Sequence, residues 1–395
     1  MLRQLPVLLV ILSAMVIFVI WRVAFANKLS RKQKAWVIPS TLLIIAYGLS
    51  SLPLGMGTLN SRSKELYLFI IGGYLTLIML LYLFLGLIVV MVISVMWRMV
   101  TDTDSDDSAA QRVRFMRKAT IAILAIALGI TGWGYLQART PKLTHVDYYH
   151  KQVPSEFNGF TIALITDLHI GSGHGGEWLT QVVSQVNSAQ PDLIVIAGDL
   201  VDGTPESTGD DLEPLTKLSA PYGVYITTGN HEFYSGAAAW AQFWAEHAIP
   251  VLDNESVVIR RAGASFDLVG INDRTGSTPY QPDLSAAINS LSTWGVLPAD
   301  TTRLRILAAH QPVQAIADDG LAERLGVDLQ LSGHTHGGQV WPLHLLVKLQ
   351  QPVVSGVHEI SGITVITSRG AGTWGPPVRV LADPEIVLVT LHNES

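Results

Sequence analysis

The chain has 395 residues, of which 49% are hydrophobic and 15% charged, and its formal net charge is −6. A mean hydropathy of +0.34 is too high for one soluble globule, and the length is too great for one core. No basic cluster with interleaved aromatics occurs past residue 145, so no nucleic-acid partner is expected. The absence of cysteine excludes a disulfide framework and thiolate metal ligands.

The apolar excess lies in the first third. Residues 4–21, 35–61, 66–97 and 119–138 contain no Asp, Glu, Lys or Arg. A helix needs about 20 residues to cross the hydrocarbon core, so 1–137 reads as an all-α membrane anchor of about four transmembrane helices. Ala24-Phe25-Ala26 has the form of a signal-peptide cleavage site. Arg22 separates it from the apolar run, however, and three more spans follow, so the first stretch reads as a retained anchor. Gly72, Gly73 and Gly86 interrupt the third stretch without any polar turn, which favours one long helix over a hairpin in lipid.

Lysines and arginines concentrate in two of the connecting loops. Arg22, Lys28, Arg31, Lys32 and Lys34 follow the first span, and Arg98, Arg112, Arg114, Arg117 and Lys118 follow the third. The N-terminal tail has Arg3, the second loop Arg62 and Lys64, and the segment after the fourth span Arg139 and Lys142. Positively charged loops stay in the cytoplasm. The expectation is a multi-pass protein of the cell membrane with both termini and the C-terminal domain outside the cytoplasm. The acidic run Asp102, Asp104, Asp106 and Asp107 reads as a solvated loop. No Asp, Glu, Lys, Arg or His falls mid-span, which argues against a transporter.

Residues 138–157, with Pro141 and Pro154, read as a linker, and 158–395 as the catalytic domain. The spacing predicts strands at 161–165, 193–197 and 222–226, with helices at 177–189 and 237–247, a βαβ rhythm with buried strands. Segments 256–261 and 265–271 flank Gly263 as a hairpin would. Further strands are predicted at 304–308, 329–331, 363–367 and 385–390. The expected fold is α/β, two mixed sheets face to face with helices outside.

Five polar motifs end apolar runs: Asp167-Leu168-His169, Gly198-Asp199, Gly229-Asn230-His231-Glu232, His310, and Gly333-His334-Thr335-His336-Gly337-Gly338. Alone, the first four read as turn residues or a structural histidine. The last needs a reason, because two alternate histidines wrapped in glycines let the backbone approach an ion. Side chains at the ends of several strands share one crevice. A buried carboxylate such as Asp199 is costly unless it is paired or metal-bound. Histidine, carboxylate and amide without sulfur suit Mn, Fe or Zn, and two such ions can clamp the attacking and leaving oxygens of a displacement. Together Asp167, His169, Asp199, Asn230, His231, His310, His334 and His336 supply seven metal ligands and one spare histidine.

The five blocks, in this order, resemble the calcineurin-like metallophosphoesterases over about residues 160–390. The Gly-His-Thr-His-Gly-Gly-Gln run and Ser368-Arg369-Gly370-Ala371-Gly372 look like the bacterial membrane-associated branch of that family. The resemblance implies a four-layer α-β-β-α sandwich. It implies two divalent ions, one held by Asp167, His169, Asp199 and His336 and the other by Asp199, Asn230, His310 and His334. It leaves His231 to stabilise the transition state or protonate the leaving oxygen. The implied activity is hydrolysis of a phosphodiester or phosphomonoester by metal-activated water, with lipid-linked or cell-envelope substrates among the candidates. The rival reading is a catalytically silent metal-binding or signalling member of the same fold. His174 and Arg369 are secondary candidates for touching substrate. Asp202 reads as loop, and Glu232, His247, His344 and His358 as surface or packing residues.

Overall fold

In the computed structural model, which describes residues 5–53, 64–100, 106–171, 173–247 and 249–394, the chain divides into two compact units that part between Leu136 and Gln137. Arg3, Arg62, Asp102 and Asp104 lie outside the described residues. The first unit is helical: α1 (Leu5–Ile20), α2 (Arg31–Pro53), α3 (Lys64–Val100) and α4 (Asp106–Gln137). Within them Arg31–Leu52, Glu65–Val100 and Asp107–Gln137 are long and apolar enough to cross a membrane. The first apolar run is shorter, 16 residues of α1 continued by a π-helical turn at Trp21–Ala26.

α3 is a single helix of 37 residues, about 55 Å at ~1.5 Å per residue. Its glycines are contact points and not turns: a Cβ on Gly73 would lie 2.4 Å from Ser51 Cβ of α2, and one on Gly86 would lie 2.3 Å from Ile123 of α4. Small residues let apolar helices approach closely where lipid gives no hydrophobic drive. Arg117 Nε donates to the Asn27 carbonyl at 2.9 Å, which brings the basic start of α4 against the loop after the first helix.

The second unit runs β1 (Lys142–His150), β2 (Phe160–Ile165), α5 (Gly176–Ser188), β3 (Leu193–Ala197), α6 (Pro205–Thr208), β4 (Val224–Thr227), α7 (Asn230–Tyr234), α8 (Ala237–Glu246), β5 (Glu255–Arg261), β6 (Ala264–Gly270), α9 (Leu284–Asn289), β7 (Arg305–Ala308), α10 (Ala317–Arg324), β8 (Leu329–Ser332), α11 (His344–Val347), β9 (Gly356–Ile360), β10 (Ile363–Thr367) and β11 (Glu385–Asn393). Two mixed sheets result, ordered β1-β11-β2-β3-β4 and β5-β6-β7-β8-β10-β9.

Side-chain alternation builds the layers. Ile162 and Leu164 of β2 point between the sheets, into a core shared with Phe266, Ile306 and Leu329. Ala163 and Ile165 point the other way, against α5 and α8 through Leu179, Val183 and Trp240. The outer face of the second sheet, Val269, Leu307 and Val365, is covered by Ala287 and Ile288 of α9 and Ala322 of α10. This is the expected helix–sheet–sheet–helix order.

Two differences from the expected elements matter. The stretch 138–157, read as a linker from its prolines, holds β1, which pairs in parallel with β11 over nine residues. The third strand begins at Val224 and not Tyr222, because Gly223 takes φ 101° in the preceding turn.

Candidate metal centre

Each motif lies just beyond a strand end, and the two sheets contribute complementary halves. β2, β3 and β4 of the first sheet deliver Asp167 and His169, Asp199, and Asn230. β7 and β8 of the second deliver His310, and His334 with His336. All seven expected ligands come from these two adjoining edges. Asp167, His169 and His310 are fully buried.

The donor atoms form overlapping groups within which every ligand atom lies inside 4.8 Å of the others: Asp167, His169 and His336; His169, Asp199 and His231; Asp199, His310 and His334. His169 Nε2 is 3.1 Å from His336 Nε2 and 3.7 Å from Asp199 Oδ2. His310 Nε2 lies 3.1 Å from Asp199 Oδ2 on the other side. Asp199 thus belongs to both sides of the centre. His310 Nδ1 is held by the Ala197 carbonyl at 2.8 Å, which aims Nε2 inward.

Three observations fit divalent cations. Among the described residues, His310 Nε2 and Asn230 Oδ1 are buried with no aligned hydrogen-bond partner, a costly state for polar atoms unless something else binds them. Asp167, His169, Asp199, His334 and His336 all have φ between 46° and 69°, a left-handed conformation that is rare outside glycine and gathers at functional sites. Glycines let the strands close up: a Cβ on Gly333 would lie 2.3 Å from Asp167 Oδ2, and one on Gly198 would lie 2.8 Å from His310 Nδ1.

Electrostatics follow from burial and crowding. Burial would raise the Asp199 carboxyl, but His310, His231 and His169 hold it well below its ordinary value. Burial and His310 pull His334 down to about 4, while burial, Arg379 and His169 lower His336. Those two shifts favour the neutral imidazole a metal requires, whereas for His310 burial alone would lower the value and Asp199 outweighs it and raises it. For His231 burial alone would lower the value, but Asp199, Asp202 and Glu232 outweigh it and push it up to about 9.

Residues outside the expected ligand set complete the centre. Asp202 Oδ1 sits 3.0 Å from His169 Nδ1 and 2.5 Å from His231 Nδ1, fixing both rings. Glu232 is buried and accepts the amides of Gly229 (2.6 Å), Leu200 (2.7 Å) and Asp199 (3.1 Å). Arg379 is fully buried and donates to the carbonyls of His336 at 2.7 Å and Gly370 at 3.2 Å, tying the two-histidine loop to the loop after β10. The secondary candidates are engaged elsewhere. His174 is buried against Thr373 at 3.1 Å and stacks on Trp178, and the Arg369 guanidinium pairs with Glu385.

Residues 160–338 match the family described as Calcineurin-like phosphoesterase. The chain is 34% identical to an uncharacterized metallophosphoesterase of Campylobacter jejuni, over 65% of this chain and 64% of that one. It is 30% identical to an uncharacterized metallophosphoesterase of Aquifex aeolicus, over 58% of this chain and 84% of the other. It is 31% identical to a transmembrane protein with metallophosphoesterase domain of Danio rerio, over 70% of this chain and 63% of that one. The chain belongs to the calcineurin-like metallophosphoesterase family. It spans less than two thirds of the Campylobacter and Danio relatives. The narrower placement in a bacterial branch is not borne out, since the Danio protein is a vertebrate relative of similar identity.

Proposed function

We propose that this protein is a membrane-anchored phosphoesterase with two divalent metal sites. The observation that carries the reading is that Asp199 Oδ2 lies between His169 Nε2 at 3.7 Å and His310 Nε2 at 3.1 Å, one from each sheet's set of donors, with His231 alongside held by Asp202. In this reading Asp167, His169, Asp199 and His336 hold one ion and Asp199, Asn230, His310 and His334 the other. Mn, Fe and Zn all suit the donors. Bound there, such ions would supply Lewis acidity and charge neutralisation for attack by water on a phosphoester. His231 faces the same space with Nδ1 committed to Asp202, which leaves Nε2 to meet the phosphoryl group and to protonate the leaving oxygen. Asp202 holds that ring, and the paired strand ends keep the donors in place before any substrate arrives. Diester and monoester are both within this chemistry.

Anchoring is supported by the three long apolar helices. In the same proposal residues 1–137 are the anchor, and the catalytic domain assigned to 158–395 gains β1, because that strand completes its first sheet. The basic residues put the loops after the first and third apolar stretches in the cytoplasm and the catalytic unit outside it.

The test is hydrolysis of generic phosphodiesters and monoesters by the full-length protein in detergent. Turnover lost on chelation and restored by Mn²⁺ is expected. A folded, metal-loaded chain that hydrolyses neither class would overturn the assignment and leave the silent, metal-binding alternative.

A further inference from the structure

Directly after the loop of His334 and His336 the chain turns outward. Gln339 crosses to a second loop: its Nε2 donates to the carbonyls of Trp374 and Pro376, both at 2.9 Å, and its Oε1 accepts the Trp374 amide at 2.9 Å. Val340 bridges to Val380 beside it. The joined loops hold Trp341, Leu345, Leu346, Leu349, Trp374 and Leu381 out to solvent, Leu349 at 81% and Leu381 at 74% exposure. Single exposed leucines need no account, but a group of this size does. Leu346 also lines a small cleft with His334 and Thr335, so the patch forms one lip of the candidate metal centre.

Strand polarity locates this lip within the catalytic unit. β2, β3 and β4 run parallel and end at the site, β11 runs antiparallel to β2, and β1 runs parallel to β11. Leu164 near the end of β2 pairs with Val387, and Lys142 at the start of β1 pairs with Glu385. The site therefore lies at the end of the sheet where β1 begins. β1 begins at Lys142, a few residues after the last apolar helix ends at Gln137. A tether that short keeps a bilayer surface at high effective concentration next to that end of the sheet. Tryptophan and leucine with a neighbouring lysine, here Lys348, are the side chains that seat in a membrane interface.

We propose that the Trp341–Leu349 and Trp374–Leu381 loops form an interfacial docking surface that rests on the lipid bilayer and presents the metal centre to phosphoesters carried on lipids. The substrate half of this inference rests on the phosphoesterase reading, and the docking half does not.

The chain has no cysteine, so nitroxide labels can be placed singly without background. Full-length Leu345→Cys and Leu349→Cys proteins would be labelled and reconstituted in vesicles of phosphatidylcholine and phosphatidylglycerol. Their collisions with oxygen and with a water-soluble nickel chelate would be compared with a label at exposed Lys217. Docking predicts raised oxygen and lowered nickel access at 345 and 349. Nickel access equal to that at 217 would overturn the docking surface, as would dipolar broadening between labels, which would mean contact between copies. The unlabelled double variant Leu345→Ser/Leu349→Ser should raise KM for a vesicle-borne phospholipid diester roughly tenfold or more. Its kcat on bis(4-nitrophenyl) phosphate should stay unchanged. An unaltered KM with docked labels would overturn the lipid substrate alone. If neither ester is hydrolysed, the labels still decide docking, and it is the phosphoesterase reading that falls.

Discussion

In the proposed two-metal reading Asp199 is shared by both donor groups, so its charge would serve both. Asp199→Asn keeps the shape and removes that charge. We expect elemental analysis of the purified variant to lose both ions together, where wild-type protein approaches two per chain. Full occupancy and activity in the variant would refute the shared role. His231 behaves differently in this reading. His231→Ala should lower kcat by roughly 10²–10⁴ and leave metal content near wild type. Asp202→Asn loosens a ligand and His231 at once, because Asp202 holds both rings. It should therefore lower metal affinity and kcat together, each by about 10–100-fold, the usual scale for partners that orient a metal ligand. Metal loss in the alanine variant would make His231 a ligand.

The seven residues proposed as ligands stand out in the sequence because each follows an apolar run of strand length, and the fold brings those strand ends together. The side chains that orient them do not stand out. Asp202 lies three positions beyond Asp199 and looks like loop until two histidine rings are seen to converge on it. Arg379 belongs to no motif, and its partner carbonyl at His336 is far away in sequence. Glu232 reads in the sequence as a surface or packing residue, because the amides it accepts from the loop of Asp199 come together only in the fold.

Among the elements, the loops after β3 and β4 act as one piece. Glu232 on α7 accepts an amide from its own loop and two from the loop of Asp199. A glutamine offers one oxygen in place of two and turns an N–H toward another donor. Glu232→Gln should cost about 1–3 kcal/mol in chemical unfolding and weaken metal retention, with the helical anchor unaffected in its far-UV signal. Unchanged unfolding and metal retention would show that the clamp is dispensable. β1 escaped notice for a physical reason. Its exposure alternates weakly, its residues are mostly polar, and prolines flank it, all of which suit an edge strand whose single partner, β11, lies far along the chain. β9 has the same character, exposed over four of its five residues at the other sheet's edge. The interior strands β2, β3, β7, β8 and β10 agree with their expected bounds to about one residue, while β11 runs on to Asn393, past its expected end at Thr390.

On the scale of the whole molecule, the side of the membrane on which the catalytic unit sits can be tested directly. An unbroken α3 counts as one crossing. With the three helices long enough to span, the proposed outside placement requires the shorter α1 to cross as well. Alkaline phosphatase fused after residue 395 should be active, and the same reporter fused after Arg98 should be silent. The reverse pattern would put the enzyme among cytoplasmic substrates. The division into an apolar helical unit and a mixed-sheet unit was plain from hydropathy alone, because a membrane and a packed core impose such different compositions.

β11 lies between β1 and β2, yet it follows every other strand in the chain. While a ribosome is still making residues 385–393, β1 has no partner and β2 has one open edge, the kind of edge that invites mispairing. β2 leads directly to Asp167 and His169, and Glu385 of β11 accepts the Arg369 amide in the loop that packs on Asp167. The nascent catalytic unit must therefore stay unfinished, and in need of protection from neighbours, until that strand inserts.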